Sequence, residues 1–385
     1  MLEDAIAAGQ MREWAEQFAQ IRNPPLEFAI VALATLYLLA QVANPIIEFL
    51  QRLWAALRWS AVSITSWLRS IFGPRAPPSH ATPLVRTIPE EVTIWETRAP
   101  TQPIFPHSAG IPIICVANMK GGVGKTTIVA NLAPHLKQKL GKPILLIDFD
   151  YQGSLSQTVR TEAGYLEPDL TSDILISPNY AGEDPIKFAR EMRRGLEDIF
   201  IYPANYPLAT IENNLLAQWA QSPADDLMYR LCALLKQPPM QEKYGAVLID
   251  CPPRLTAGSI NALCASTHLL VPTALDEMSA QAAEYFLGQV SRMRGTVFPT
   301  LKLIGVVPSI THNESALLSG EARTLDRLSK YGVSFWRRDD FVLTECRIPR
   351  KADISNLAGS GVPYLRKASV RQIFDRLGEE IWKRL

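Results

Sequence analysis

At 385 residues, with 39 basic and 38 acidic side chains, the chain carries a net charge of +1. That balance excludes a global field drawing the protein onto nucleic acid or acidic lipid, so any such affinity must come from local patches. Five scattered cysteines with no C-x-x-C pair argue against a zinc site or a disulfide framework and fit a reducing compartment.

Residues 1–25 read as a polar N-terminal arm with a short amphipathic stretch around MREWAEQFAQI. The run LEFAIVALATLYLLAQVA, residues 26–43, follows, with Glu27 its one charge and prolines on both sides. Eighteen helical residues reach about 27 Å, just under the roughly 30 Å hydrocarbon core, so a transmembrane helix is expected, with a helix buried in a globular core as the alternative. A cleaved signal peptide is the poorer reading, because four acidic and two basic side chains precede the run. In residues 46–72, Ile46, Leu50, Leu53, Leu57, Ile64, Leu68 and Ile71 recur at helical steps, interrupted by Arg52, Arg58 and Arg69. Arginines at bilayer depth cost about 2.5–3.5 kcal/mol each, which predicts an interfacial amphipathic helix, with a self-associating helix as the alternative. Arginines 52, 58, 69 and 75 follow the apolar run while only 12 and 22 precede it, so the C-terminal part is expected on the cytoplasmic side. Residues 73–108 hold eight prolines and predict an extended linker.

From residue 109 the pattern changes. Short apolar runs (IPIICVAN, PILLIDFD, IFIYPAN, GAVLIDCP, THLLVPTA, LKLIGVVPS) alternate with helical stretches such as TTIVANLAPHLKQKL. Continuous apolar strands alternating with helices predict an α/β fold, a mostly parallel sheet with helices on both faces. Binding sites in such sheets lie at the carboxyl ends of strands.

One of those ends carries NMKGGVGKTT, residues 118–127. A P-loop reads G-x-x-x-x-G-K-[ST], and here Met119 stands at its first position with a second lysine, Lys120, directly after it. Gly121, Gly122, Val123 and Gly124 would let backbone N–H groups converge on phosphate oxygens at a helix N-terminus. Lys125 would reach the β- and γ-phosphates and Thr126 would ligate Mg²⁺. Two more strands end in carboxylates, Asp148 and Asp150 in PILLIDFD and Asp250 in GAVLIDCPP, types that hold a metal-bound water or orient an attacking one. A P-loop NTPase is the expected architecture.

In order along residues 109–385, KGGVGKTT, LLIDFDYQGSLS, IYPANYPLATIE, YGAVLIDCPP, NALCASTHLLVPTALDEMS and RIPRKADISNLAGSGVPYL resemble successive blocks of the ParA/MinD family of deviant-Walker ATPases. The resemblance implies a homodimer closed over two ATP molecules with Mg²⁺, in which Lys120 reaches the partner's phosphates. It further implies that Asp150 positions the hydrolytic water, Asp148 and Asp250 hold Mg²⁺ through water, Thr127 contacts phosphate, and Pro349 with Arg350 lines the adenine. Family members position, partition or regulate DNA or protein cargo, with a partner protein stimulating hydrolysis. With the preceding segments, that implies an ATPase domain in the cytoplasm, tethered to a bacterial inner membrane through residues 26–72. Alternatives are a membrane tyrosine kinase of the polysaccharide-export type and a non-catalytic ATP-binding switch.

Tyr151 departs from the family, which usually has proline there, and Pro134 falls inside the helix after the P-loop. Arg323, Arg327, Lys330, Arg337, Arg338, Arg347, Arg350 and Lys351 suggest nonspecific DNA binding, but Asp326, Asp339, Asp340, Glu345 and Asp353 are interleaved with them. The C-terminal VRQIFDRLGEEIWKRL puts Val370, Ile373, Leu377, Ile381 and Leu385 on one face, which predicts a core helix in preference to a membrane-targeting tail.

Overall fold

The computed structural model describes residues 93–98, 110–163, 171–178, 184–221, 227–355 and 361–385. The expected polar arm, transmembrane helix (26–43) and interfacial helix (46–72) lie outside these residues. Among the described residues, no helix is long and apolar enough to cross a membrane.

Among the described residues, eight strands form one sheet: β1 Ile113–Val116, β2 Ile144–Asp148, β3 Arg190–Glu191, β4 Ile199–Tyr202, β5 Ala246–Asp250, β6 His268–Ala274, β7 Lys302–Thr311 and β8 Ile348–Pro349. Their order is β3-β4-β2-β5-β1-β6-β7-β8. All neighbours pair in parallel except β3 with β4. Helices of nine residues or more are numbered α1 Lys125–Leu140, α2 Ser154–Ala163, α3 Pro207–Gln221, α4 Ala257–Ala265, α5 Glu277–Met293, α6 Ser319–Tyr331 and α7 Ala368–Trp382.

Side chains of a strand alternate between faces, so a strand apolar throughout needs cover on both. On one face Cys115, Leu145, Ile147, Val247 and Ile249 pack with residues of α3, α4 and α5, including Leu215, Ile260 and Phe286. On the other, Ile114, Val116, Leu146 and Leu248 pack with Ile128 and Leu132 of α1, Val159 of α2 and Phe374 of α7. Each such buried aliphatic or aromatic side chain contributes about 1.5–3 kcal/mol. The expected two-sided α/β sheet is what forms.

Helix α1 begins at Gly124 and ends at Gly141, both in the left-handed region at φ 88° and 59°. The helix runs through Pro134 unbroken; a proline there withholds one backbone donor, and tertiary packing on a buried face offsets the loss. Helix α7 buries Val370, Ile373, Phe374, Leu377 and Ile381, and is joined to α1 by His135 Nδ1 with Asp375 Oδ1 at 2.8 Å and by Lys139 Nζ with Glu379 at 2.7 Å. It is a core helix, as its apolar face predicts.

One stretch corrects the linker expected over 73–108. Thr93 caps a one-turn helix, Ile94–Thr97, through a reciprocal capping box with Glu96. Trp95 is buried and stacks on Trp219 of α3 at 5.3 Å, and Arg98 donates to the carbonyls of Trp219 and Ala220 at 3.0 and 2.8 Å. Its four residues are too few for a period to show in the sequence, and tertiary partners of Trp95, Glu96 and Arg98 hold them.

Candidate nucleotide-binding site

The parallel register brings three predicted carboxylates to one edge of the sheet. Asp148 on β2 stands opposite Asp250 on β5, and Asp250 stands opposite Val116 on β1, two residues before the P-loop segment begins. Asp150 follows two residues beyond the end of β2.

Between β1 and α1 the loop turns on Gly122 and Gly124, at φ 72° and 88°. Side-chain-bearing residues rarely adopt such angles. A Cβ placed on Gly121 or Gly122 would meet nothing within 4 Å, so the glycines border open space on which backbone N–H groups can converge. From below, Ser309 Oγ of β7 donates to the Val123 carbonyl at 2.6 Å.

The two lysines of the loop are held differently. Lys125 is buried, and its ammonium donates to the Lys120 carbonyl at 3.0 Å. Burial pushes its pKa down, opposed by the charges of Asp250 and Asp150. Lys120 has its backbone fixed at both ends: its N–H donates to Asn118 Oδ1 at 3.1 Å, while Asn118 itself donates to the Pro272 carbonyl at 2.8 Å. The Lys120 side chain is half-buried, and its ammonium makes no hydrogen bond or ion pair among the described residues.

Thr126 Oγ1 donates to Asp250 Oδ2 at 2.7 Å, while Asp250 Oδ1 is buried without a hydrogen-bond partner. Desolvation first, and then the facing Asp148 charge, raise the Asp250 pKa well above the carboxylate range. An orphaned carboxylate oxygen beside a threonine hydroxyl and open phosphate space fits Mg²⁺, which takes one or two carboxylates together with phosphate oxygens. Among the described residues no cluster of three or more His, Cys, Asp or Glu forms a metal site, which such a cation does not require.

Asp148 is engaged in another way. Its Oδ1 accepts from Asp150 N–H at 3.0 Å and its Oδ2 from Ser156 N–H and Oγ at 3.0 and 2.7 Å. Ala204 N–H of the loop after β4 donates in turn to Ser156 Oγ at 2.8 Å. Burial outweighs these bonds and pushes the Asp148 carboxyl up to about 7. Three of roughly four lone-pair positions are thus taken. What Asp148 visibly holds is the segment carrying Asp150.

The remaining predicted residues converge on this edge. Thr127 lies in the first turn of α1, half-buried. Pro349 is in β8, and Arg350 N–H donates to the Thr311 carbonyl of β7 at 2.8 Å, two residues from Ser309. Between them Ile310 sits at φ 57°, strained for a β-branched residue and characteristic of a functional edge. Sequence reading passed over Asn118, Ser156 and Ser309. Asn118 lies in the quoted NMKGGVGKTT and Ser309 at the end of LKLIGVVPS; only the folded partners show what they hold.

Among the described residues, four of the eight residues of the basic series are ion-paired. Arg327 pairs with both Glu277 and Glu284 of α5, Lys330 with Asp326, Arg338 with Asp340 and Lys351 with Glu314. These ion pairs offset part of the field that a DNA-binding face would need. The last two tyrosines are also engaged: Tyr364 is buried with its hydroxyl on Asp375, and the Tyr331 hydroxyl donates to the Glu284 carbonyl. Neither offers the exposed C-terminal tyrosine cluster of a polysaccharide-export kinase.

A glycine-turned loop opening a helix at the carboxyl end of a parallel strand, with lysine, threonine and two strand-end carboxylates around it, defines a P-loop nucleotide-binding protein. A family model described as an AAA domain matches residues 111–303. The chromosome partitioning protein ParA of Caulobacter vibrioides is 29% identical over 275 residues, covering 71% of this chain and 94% of that one. The sporulation initiation inhibitor protein Soj of Bacillus subtilis is 28% identical over 253 residues, 66% of this chain and 90% of its own. In fold, the chain is similar to the McdA–ATP complex of Cyanothece (TM-score 0.57, 20% identity, 71% and 98% covered). It is similar also to MinD of Pyrococcus horikoshii with Mg-ADP (TM-score 0.51, 20% identity, 70% and 96% covered). The chain belongs to the ParA/MinD family of deviant-Walker P-loop ATPases.

Proposed function

We propose that this protein is a membrane-tethered ATPase of the partitioning type, which pairs on ATP and uses hydrolysis to position, partition or regulate a macromolecular partner. Lys125, the backbone of residues 121–126 and Thr127 would hold the phosphates, Thr126 and Asp250 the Mg²⁺, and Pro349 with Arg350 the adenine side. Bound Mg²⁺ supplies electrostatic stabilisation of charge on the transferring phosphoryl group. Asp150, held by Asp148 through its own backbone N–H, orients water.

Lys120 carries the reading. The Lys120 backbone is fixed at both ends, and among the described residues its ammonium makes no hydrogen bond or ion pair and meets only the longer-range charge of Asp276. Such a group suits a phosphate presented by a second copy of the chain, where it acts as a cation supplied in trans. Pairing and hydrolysis are then coupled. Residues 26–72 would confine the protein to a bacterial inner membrane with the ATPase domain in the cytoplasm, raising its effective concentration for pairing. A partner protein would stimulate turnover.

The test uses the full chain in lipid nanodiscs. Lys120→Ala is expected to lower ATP turnover at least 10²-fold and to abolish ATP-dependent pairing, seen by cross-linking, while ATP still binds each subunit. A variant that pairs and hydrolyses like the parent overturns the reading.

A further inference from the structure

The chain leaves β2 as Phe149-Asp150-Tyr151, and Tyr151 stands where the resembled family usually has proline. A proline ring fixes its own φ. A tyrosine does not, so order in this segment has to come from what the side chain touches. The Tyr151 ring is half-buried against the core. The Arg254 guanidinium carbon lies 5.0 Å from its centroid, and the Tyr206 ring 6.3 Å away at 52°.

These partners come from two other strand ends. Arg254 is four residues beyond Asp250 of β5, and Tyr206 is four beyond the end of β4. Filling space in the core would need Tyr151 alone. Arg254 is exposed and Tyr206 is 69% exposed, so neither is drawn to the ring by its own burial. The backbone beneath is seated in the same direction: Gly153, at φ 62°, lies so close to the loop after β4 that a Cβ on it would meet the Ala204 carbonyl at 2.8 Å. Asp150 itself closes the turn, its Oδ1 accepting from Gln152 N–H at 3.1 Å and its carbonyl from Gly153 N–H at 2.7 Å. A ring in contact with a cation and a second, tilted ring restrains the segment through its side chain, as proline would through its backbone.

We propose that Tyr151 is a positioning residue: its contacts with Arg254 and Tyr206 hold the backbone that presents Asp150 to the hydrolytic water. The inference rests on the ATPase reading above for its catalytic consequence, and on geometry alone for the restraint.

Hydrogen–deuterium exchange over residues 149–157 of the nucleotide-free full chain reads the restraint, and steady-state ATP turnover reads its consequence. Tyr151→Ala is expected to speed exchange there threefold or more and to lower kcat about tenfold, with KM for ATP within twofold of the parent. Tyr151→Phe keeps the ring and rescues both. Arg254→Ala shifts both in the same direction by about two- to fivefold, the strength of one exposed cation–π contact. The double variant is no worse than Tyr151→Ala, because the two residues share one interaction. Parent-like exchange in Tyr151→Ala, failure of Phe to rescue, or multiplying effects in the double variant would overturn the proposal. If the parent itself releases no phosphate, the ATPase reading fails, and exchange still decides whether the Tyr151 contacts restrain the segment.

Discussion

The nucleotide edge of the sheet and the basic series from Arg323 to Lys351 are both rich in charge, and they treat it in opposite ways. In the basic series, Arg327, Lys330, Arg338 and Lys351 each meet a carboxylate within the subunit. At the nucleotide edge, the Lys120 ammonium makes no hydrogen bond or ion pair among the described residues, Asp250 Oδ1 is buried and unbonded, and Asp148 faces Asp250 with both carboxyls pushed toward their neutral forms. Density of charge in the sequence is therefore a poor guide to function; unsatisfied charge in the fold is a better one. A protein tolerates such unpaired groups where a ligand is to complete them.

Removing one of the unpaired groups should separate activity from stability most strongly. Asp250→Asn is expected to cut ATP turnover 10²-fold or more while raising the melting temperature of the nucleotide-free protein, since it removes a carboxyl whose ionisation burial and the facing Asp148 oppose. A fall in both would place Asp250 among structural residues and erase the contrast between the two regions. In the paired region the signs reverse. Arg327→Ala loses the pairs to Glu284 and Glu277 and should destabilise by about 1 kcal/mol, read by thermal or denaturant unfolding, with ATP turnover unchanged. A matching loss of turnover would show that α5 and α6 reach the site.

The smallest expected effect is a pH dependence. Burial pushes Asp148 up to about 7, so the folded protein keeps a proton that the unfolded chain has already lost above the ordinary carboxylate range. Stability from this group therefore falls as pH rises from about 4 to about 7. Over part of that window buried His268, pushed down to about 4 by desolvation, works in the other direction, because unfolding lets it gain a proton below about 6.5. Between pH 6.5 and 8 the carboxyl contribution stands clear of it, and the melting temperature of the nucleotide-free protein should decline by a few degrees. Asp148→Asn should flatten that decline. An unchanged slope would assign it to other groups.

Much of this was legible before folding, and for local reasons. Unbroken apolar strands alternating with helical periods require a sheet covered on both faces, and Gly122 with Gly124 meets a backbone need that few other residues can meet. Lys125, Thr126, Asp148, Asp150 and Asp250 were all readable, because a P-loop and strand ends are short-range patterns and a parallel sheet gathers its carboxyl ends on one side. The C-terminal helix was readable from its apolar stripe.

Other features depend on residues far apart in the chain, and no local window holds them. The linker turn at Thr93–Arg98 exists because Trp95 finds Trp219, 124 positions away. That Asp148 serves the Asp150 segment through Ser156, and that Tyr151 meets Arg254 and Tyr206, follows from which strand ends lie side by side. Sequence by itself determined the fold class and the residue types of the site, because those follow from periodicity and backbone conformation. Tertiary structure decided which charges are neutralised and which wait for a ligand, because electrostatic pairing is a property of distance in space and not of spacing along the chain.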